Sequence, residues 1–270
     1  MREAQDFLHE SDCLADLLGD ASDKDFERKT LFKNWTIEDV IGHLHLWNYA
    51  AMLTVEDSEK FSAFLTPLFE RLMAGDTHPE IQRQWLDENA DGLSGRNLFE
   101  AWIELYRKTA RLYQNTDPQK RVAWAGPPMS AQSKIIARQM ETWAHAQSIF
   151  DLLGQEREDT DRLRNIAHLG VTTYSWTFRN RAIEPPTPKP FVQLTAPSGA
   201  IWEWNEPQSD NKIEGMATQF CQVVTQTRNI ADTALTVIGE PANQWMLKAQ
   251  CFAGAPNDPP IKGSRYKSPV

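Results

Sequence analysis

The sequence predicts a mainly α protein, an N-terminal helical bundle followed by a smaller α/β domain. Three observations carry that expectation. Apolar residues recur at helical spacing as far as Arg181. Glu184–Pro190, EPPTPKP, then packs four prolines into seven residues, which neither a helix nor a central strand accepts. Beyond it, short apolar runs bounded by turn residues replace the helical stripes. The expected organisation is a bundle over 1–183, a proline-rich linker over 184–190 and an α/β domain over 191–270.

Taken in order, Arg2 to Leu18 sets Phe7, Leu8, Leu14, Leu17 and Leu18 near one stripe, and Gly19 follows as a stop. Thr36 and Asp39 have the spacing of a capping box ahead of Ile37, Val40, Ile41 and Leu44, so a helix starts at about Thr36 and runs through His43, Trp47 and Ala51. Further helices are expected at Ser58–Ala74, His78–Asn89 and Asn97–Tyr113, separated by Gly75, Asp76 and the loop 91–96. Gly126, Pro127 and Pro128 break the chain before Ser130, a good N-cap for Ala131–Gly154, which Gly154 ends. One more helix is expected over Asp159–Arg181. After the prolines, Phe191–Thr195 and Ala200–Trp204 flank Pro197, Ser198 and Gly199 as a hairpin. Lys212–Gly215 reads as a strand, Met216–Thr227 as a helix, Thr233–Ile238 as a strand and Pro241–Phe252 as a helix beginning at proline.

Bulk properties exclude several functions. The formal charge of -9 gives no general attraction to nucleic acid or anionic lipid, although Arg179 and Arg181 can still hold one anion locally. Ten tryptophans imply large apolar surfaces to bury. Cys13, Cys221 and Cys251 cannot all pair, and none has metal-site spacing, so reduced thiols in a cytoplasmic protein are expected. The charged start MREAQDFLHESD lacks the apolar region of a signal peptide, and no stretch is apolar enough to span a membrane.

No glycine-rich phosphate loop, GxSxG elbow, HExxH or zinc-finger spacing occurs. What remains is Glu141 and His145, four residues apart and therefore on one helix face, with His43 on the inner face of an earlier helix. Together they make a candidate three-ligand site for a divalent metal. A Glu-x-x-x-His pair by itself is common, and exposed it adds only about 0.2 to 0.5 kcal/mol to a helix.

The segments WTIEDVIGHL, RQMETWAHAQSIFDLLG and VVTQTRNIADTALTVIGEPANQWMLKAQCFAG resemble the metal-binding DinB-like superfamily. They resemble more closely its mycothiol-dependent maleylpyruvate isomerase-like branch, which has an appended C-terminal domain. The resemblance covers nearly the whole chain. It implies a four-helix bundle core with His43, Glu141 and His145 as ligands, usually to zinc or a similar divalent ion. The family often has an aspartate three residues after the last histidine, where this chain has Ser148.

Other residues keep two readings. His45 is the rival of His43, but two helical steps turn a side chain by about 200°, so His45 is assigned to packing or surface. Asp39 caps its helix, with a role in orienting an imidazole as the alternative. His168 and Arg179 lie in the last bundle helix, unoriented by sequence. Trp47 and Trp143 neighbour the ligands and either wall a cofactor pocket or belong to the core. Arg228 is a candidate catalytic residue directed at an anionic substrate across the domain junction; the alternative is a solvated Arg at a helix end.

The resulting expectation is a metal-dependent thiol transferase or isomerase, monomeric or homodimeric. It would activate a low-molecular-weight thiol toward a small-molecule substrate on Zn²⁺, with Ni²⁺, Fe²⁺ or Mn²⁺ open. Two alternatives stand beside it, a non-catalytic metal-stabilised small-molecule binding protein and a metal-dependent hydrolase.

Overall fold

The computed structural model describes residues 1–124 and 128–269 and is mainly α. It divides into two compact units, Met1–Leu152 and Leu153–Val270.

The first unit holds α1 (Arg2–Leu17), α2 (Asp23–Phe26), α3 (Ile37–Glu56), α4 (Ser58–Ala74), α5 (His78–Asn89), α6 (Gly95–Gln114), β1 (Arg121–Val122), β2 (Met129–Ser130) and α7 (Ala131–Leu153). Local chemistry sets most of these bounds. Thr36 Oγ1 accepts from the Asp39 amide at 3.0 Å and the Asp39 carboxylate accepts from the Thr36 amide at 2.8 Å, closing the capping box that starts α3. Asp57 ends α3 and caps α4 by accepting from the amides of Glu59 and Lys60. Thr77 and Glu80 repeat the box at α5. Gly75 at φ 100° and Gly154 at φ 68° supply the left-handed residues that finish α4 and α7. The sequence carries a break ahead of α7 but not the small β1–β2 hairpin observed there. Of the breaking residues, Gly126 and Pro127 lie outside the described residues.

Four helices close a ring. α1 packs on α6 and α6 on α3. α3 is tied to α7 by Arg138 on Asn48, and α7 returns to α1 through Gln132 on Glu3. Phe7, Leu14, Ile41, Leu44, Trp102, Tyr106, Ile135 and Trp143 are buried completely inside it. α4 and α5 pack on α3 through Leu46, Leu68 and Ile81.

The second unit begins with α8 (Leu163–Thr172) and α9 (Tyr174–Arg179), two helices where the sequence suggests one. Thr173 separates them. Its hydroxyl bonds the carbonyls of Leu169 and Gly170 at 2.7 and 3.0 Å, the kind of local bond that competes with helix continuation. Strands β3 (Phe191–Thr195), β4 (Ile201–Trp204), β5 (Lys212–Met216) and β6 (Thr236–Ile238) form a sheet in the order β4-β3-β5-β6. β3 and β4 are the antiparallel hairpin foreseen around Gly199, and β5 lies parallel to β3. α10 (Ala217–Val224) and α11 (Glu240–Met246) are shorter than the periodicity suggests. α10 stops where Gln226 turns to φ 58°. Beyond α11, the amides of Gln250 and Cys251 leave the helical ladder for Thr177 Oγ1 and the Val224 carbonyl.

The compact units divide before α8, not at the proline-rich segment where the sequence places the linker. Within its own unit that segment is held by side chains on its carbonyls: Tyr174 on Pro186, Asn211 on Pro188, Gln208 on Lys189 and Asn205 on Pro190. Prolines lack the amide donor but keep the acceptor, so such a run can be fastened without secondary structure.

Candidate metal centre

Capping fixes the start of α3 and thereby the rotation that aims His43 inward. α7 carries Glu141 and His145 one turn apart. Their ligand atoms converge: His145 Nε2 is 3.4 Å and His43 Nε2 3.9 Å from Glu141 Oε2, and all three atoms lie within 4.8 Å of one another. Ligands bonded tetrahedrally to one ion at ~2.1 Å stand ~3.4 Å apart, so the three need only small rotamer adjustments to share an ion.

Electrostatics favours the same reading. Burial pushes the His43 imidazole down to about 3, against the opposing pull of Glu141. Burial would raise Glu141, but the imidazoles of His145 and His43 beside it hold its carboxyl well below the ordinary range. An ionised carboxylate facing a neutral imidazole is the protonation pattern that a divalent ion requires. Two imidazoles and a carboxylate suit zinc and several other first-row ions.

Aromatic rings wall the cluster. Trp35 stacks on His145 with centroids 5.7 Å apart and planes at 7°, and Phe32 meets the same ring edge-on at 5.0 Å. Trp47 lies 6.2 Å from His43 and 5.7 Å from Trp124. Trp143, two residues from either α7 ligand and so about 200° from Glu141 on ideal geometry, is buried in the core. Of the two expected wall residues, Trp47 has its ring against His43.

His45 is buried with its ring 6.1 Å from that of Trp85, and its Nδ1 has no hydrogen-bond partner among the described residues. Asp39 is occupied in its cap. Ser148, in the place of the familiar aspartate, donates to the His145 carbonyl at 2.8 Å. His168 belongs to the second unit and accepts from Trp204 Nε1 at 3.2 Å, and Arg179 ends α9 there. Arg181 is paired with Asp258, which weakens the local anion-site reading of that cluster. Arg228 also belongs to the second unit, donating to the Thr227 carbonyl at 2.9 Å. Among the described residues Cys13, Cys221 and Cys251 form no disulfide.

Sequence reasoning missed the contributors that arrive off the ligand helices. Trp35 and Phe32 come from a turn with Lys33 and Asn34 at φ 52° and 58°, closed by the Lys29–Thr36 bridge. His78, at the start of α5, sits 5.6 Å from the His43 ring. Lys134 and Arg138 were legible in principle, because 134, 138, 141 and 145 share one helix face.

Residues 7–150 match the family described as Mycothiol maleylpyruvate isomerase N-terminal domain. Two uncharacterized proteins of Mycobacterium tuberculosis, from strains CDC 1551 / Oshkosh and ATCC 25618 / H37Rv, are each 34% identical over 93% of this chain and 95% of their own length. Among solved structures, that of a mycothiol-dependent maleylpyruvate isomerase superposes with a TM-score of 0.51 at 15% identity, covering 82% of this chain and 87% of that one. A mutant of the same enzyme gives the same score at 14% identity. Among the described residues no helix is long and apolar enough to cross a membrane.

Proposed function

The chain belongs to the family of the mycothiol maleylpyruvate isomerase N-terminal domain, and on that premise we propose that it is a metal-dependent thiol transferase or isomerase acting on a small electrophile. The observation that carries the reading is the convergence of two imidazole nitrogens and one carboxylate oxygen at the end of α3 and α7. Zinc is the ion this donor set suits best, with a low-molecular-weight thiol as co-substrate in a reduced, cytoplasmic setting. A divalent ion held there supplies the charge that lowers a thiol's pKa and spares the protein a nucleophile of its own.

The chain's residues do the rest. His43, Glu141 and His145 present the donor atoms. Trp35 and Phe32 fix the His145 ring and keep water from that side, and Trp47 walls the space beside His43. Arg228 enters the proposal as the catalytic residue for an anionic part of the substrate. On that assignment Arg228→Met raises KM for an anionic substrate several-fold and leaves metal content unchanged.

Cobalt substitution tests the thiol step. Addition of mycothiol, or of glutathione as a second candidate, should produce a thiolate-to-cobalt charge-transfer band that His145→Ala abolishes. No band with either thiol would favour a metal-stabilised binding protein without catalysis.

A further inference from the structure

α7 carries more charge into the bundle than the metal cluster explains. Lys134 and Arg138 lie two turns and one turn before Glu141 on its own face, and both are almost wholly buried, at 1% and 3% exposure. Opposite them on α3 is Asn48, with no exposure at all.

The hydrogen-bond inventory of this group is lopsided. Arg138 Nε donates to Asn48 Oδ1 at 3.0 Å and Nη2 reaches the Leu44 carbonyl at 3.4 Å. The only side-chain oxygen that Asn48 owns thereby accepts from Arg138. Asn48 Nδ2 and Lys134 Nζ, both buried, have no hydrogen-bond acceptor among the described residues. Lys134 Nζ lies over the Trp124 ring, whose electron-rich face is a weak substitute for a counter-ion. The nearby carboxylate, Glu141, faces the two imidazoles. Buried donors without acceptors are costly, and burial together with the Arg138 charge holds the Lys134 ammonium well below the ordinary lysine range, against the pull of Glu141. A buried amine and a buried amide without acceptors, beside the Arg138 guanidinium, leave room in the charge balance for one anion. Its planar, two-oxygen form would match a guanidinium and an ammonium together.

We propose that Lys134, Arg138 and Asn48 form a carboxylate-binding subsite within the bundle, next to the His43, Glu141 and His145 cluster, which receives a carboxylate of the small electrophile distinct from the anionic part assigned to Arg228. Its placement on the same helix face would hold that acid group one to two helical turns from the reacting centre. Calling the ligand a substrate rests on the thiol-transfer reading; the binding of a carboxylate does not. An ion on Glu141 would add further positive charge beside this group, so the demand for an anion rises when the cluster is filled. Lys134 and Arg138 are positioning residues here, since they act on the group that does not react.

The test uses the full chain, stripped of metal by a chelator and free of thiol, titrated calorimetrically with propionate and, as its uncharged control, propionamide. Propionate should bind saturably and propionamide roughly tenfold more weakly or not at all. Lys134→Met should weaken propionate by roughly tenfold without lowering the melting temperature, because it removes a buried nitrogen that has no acceptor. Asn48→Asp places a carboxylate among the donors and should abolish propionate binding while raising the melting temperature. It decides the matter should Lys134→Met fail to fold. Absence of propionate binding to the wild type, or equal binding to wild type and Asn48→Asp, overturns the proposal. With no metal or thiol present, its failure is distinguishable from a silent cobalt spectrum, which would remove the thiol reading alone.

Discussion

His43 and His45 are two residues apart and both buried, yet only one serves the cluster. His43 faces Glu141, whereas His45 packs against Trp85 with its Nδ1 unpartnered, and burial pushes its pKa down to about 4. The consequence for stability has a definite sign. In the unfolded chain His45 takes a proton near its ordinary value of 6.5; in the folded protein it resists until about 4. The unfolded state therefore binds more protons between those values, and stability present above pH 6.5 is lost as pH falls toward 4. The contribution is on the order of 3 kcal/mol. Denaturant melts of metal-free protein should fall over that interval and fall less steeply in His45→Asn, where His43 alone of the two still resists protonation; parallel curves would show that His45 is not the neutral packing residue described. The choice between the two histidines was legible from helical angle. The rings around His145 were not, because Phe32 and Trp35 arrive on a turn built from left-handed Lys33 and Asn34, which no periodicity announces.

At the scale of the element, α3 owes its register to Thr36 and Asp39. Thr36→Ala and Asp39→Ala should each cost about 1 kcal/mol in denaturant melts. Both should keep wild-type metal stoichiometry, since Asp39 is spent on the Thr36 amide. Loss of metal in Asp39→Ala would restore the alternative in which it orients an imidazole. In the second unit α8 approaches α10 at Gly170, where an added Cβ would stand 2.8 Å from a Val224 methyl and 3.1 Å from the Phe220 ring. Gly170→Ala should therefore destabilise by about 1 to 3 kcal/mol through overpacking. A gain from better helix propensity would contradict that contact. Helices bounded by side-chain caps, α3, α4 and α5, were readable to the residue or nearly so. The break at Thr173 and the early end of α11 were not, since each is made by a hydroxyl or a long-range amide bond that periodicity does not record.

For the whole molecule, the division of units before α8 and the fastening of Glu184–Pro190 by side-chain amides make a proteolytic prediction. Endoproteinase Glu-C should cut at Glu156 or Glu158, ahead of Glu184, when followed by mass spectrometry under native conditions. Early cleavage at Glu184 would restore the proline segment as the linker. Composition announced that segment as an interruption but not its tethering, which depends on Tyr174, Asn205, Gln208 and Asn211. The mainly helical fold and the three candidate ligands were visible because helical period and four-residue spacing are local properties. That the ligands meet is a property of the closed ring of α1, α6, α3 and α7. The most direct measurement is the metal content of the purified full chain by elemental analysis beside that of His145→Ala. The account predicts about one divalent ion per wild-type chain and roughly tenfold less in the variant. Equal, substoichiometric metal in both would contradict it.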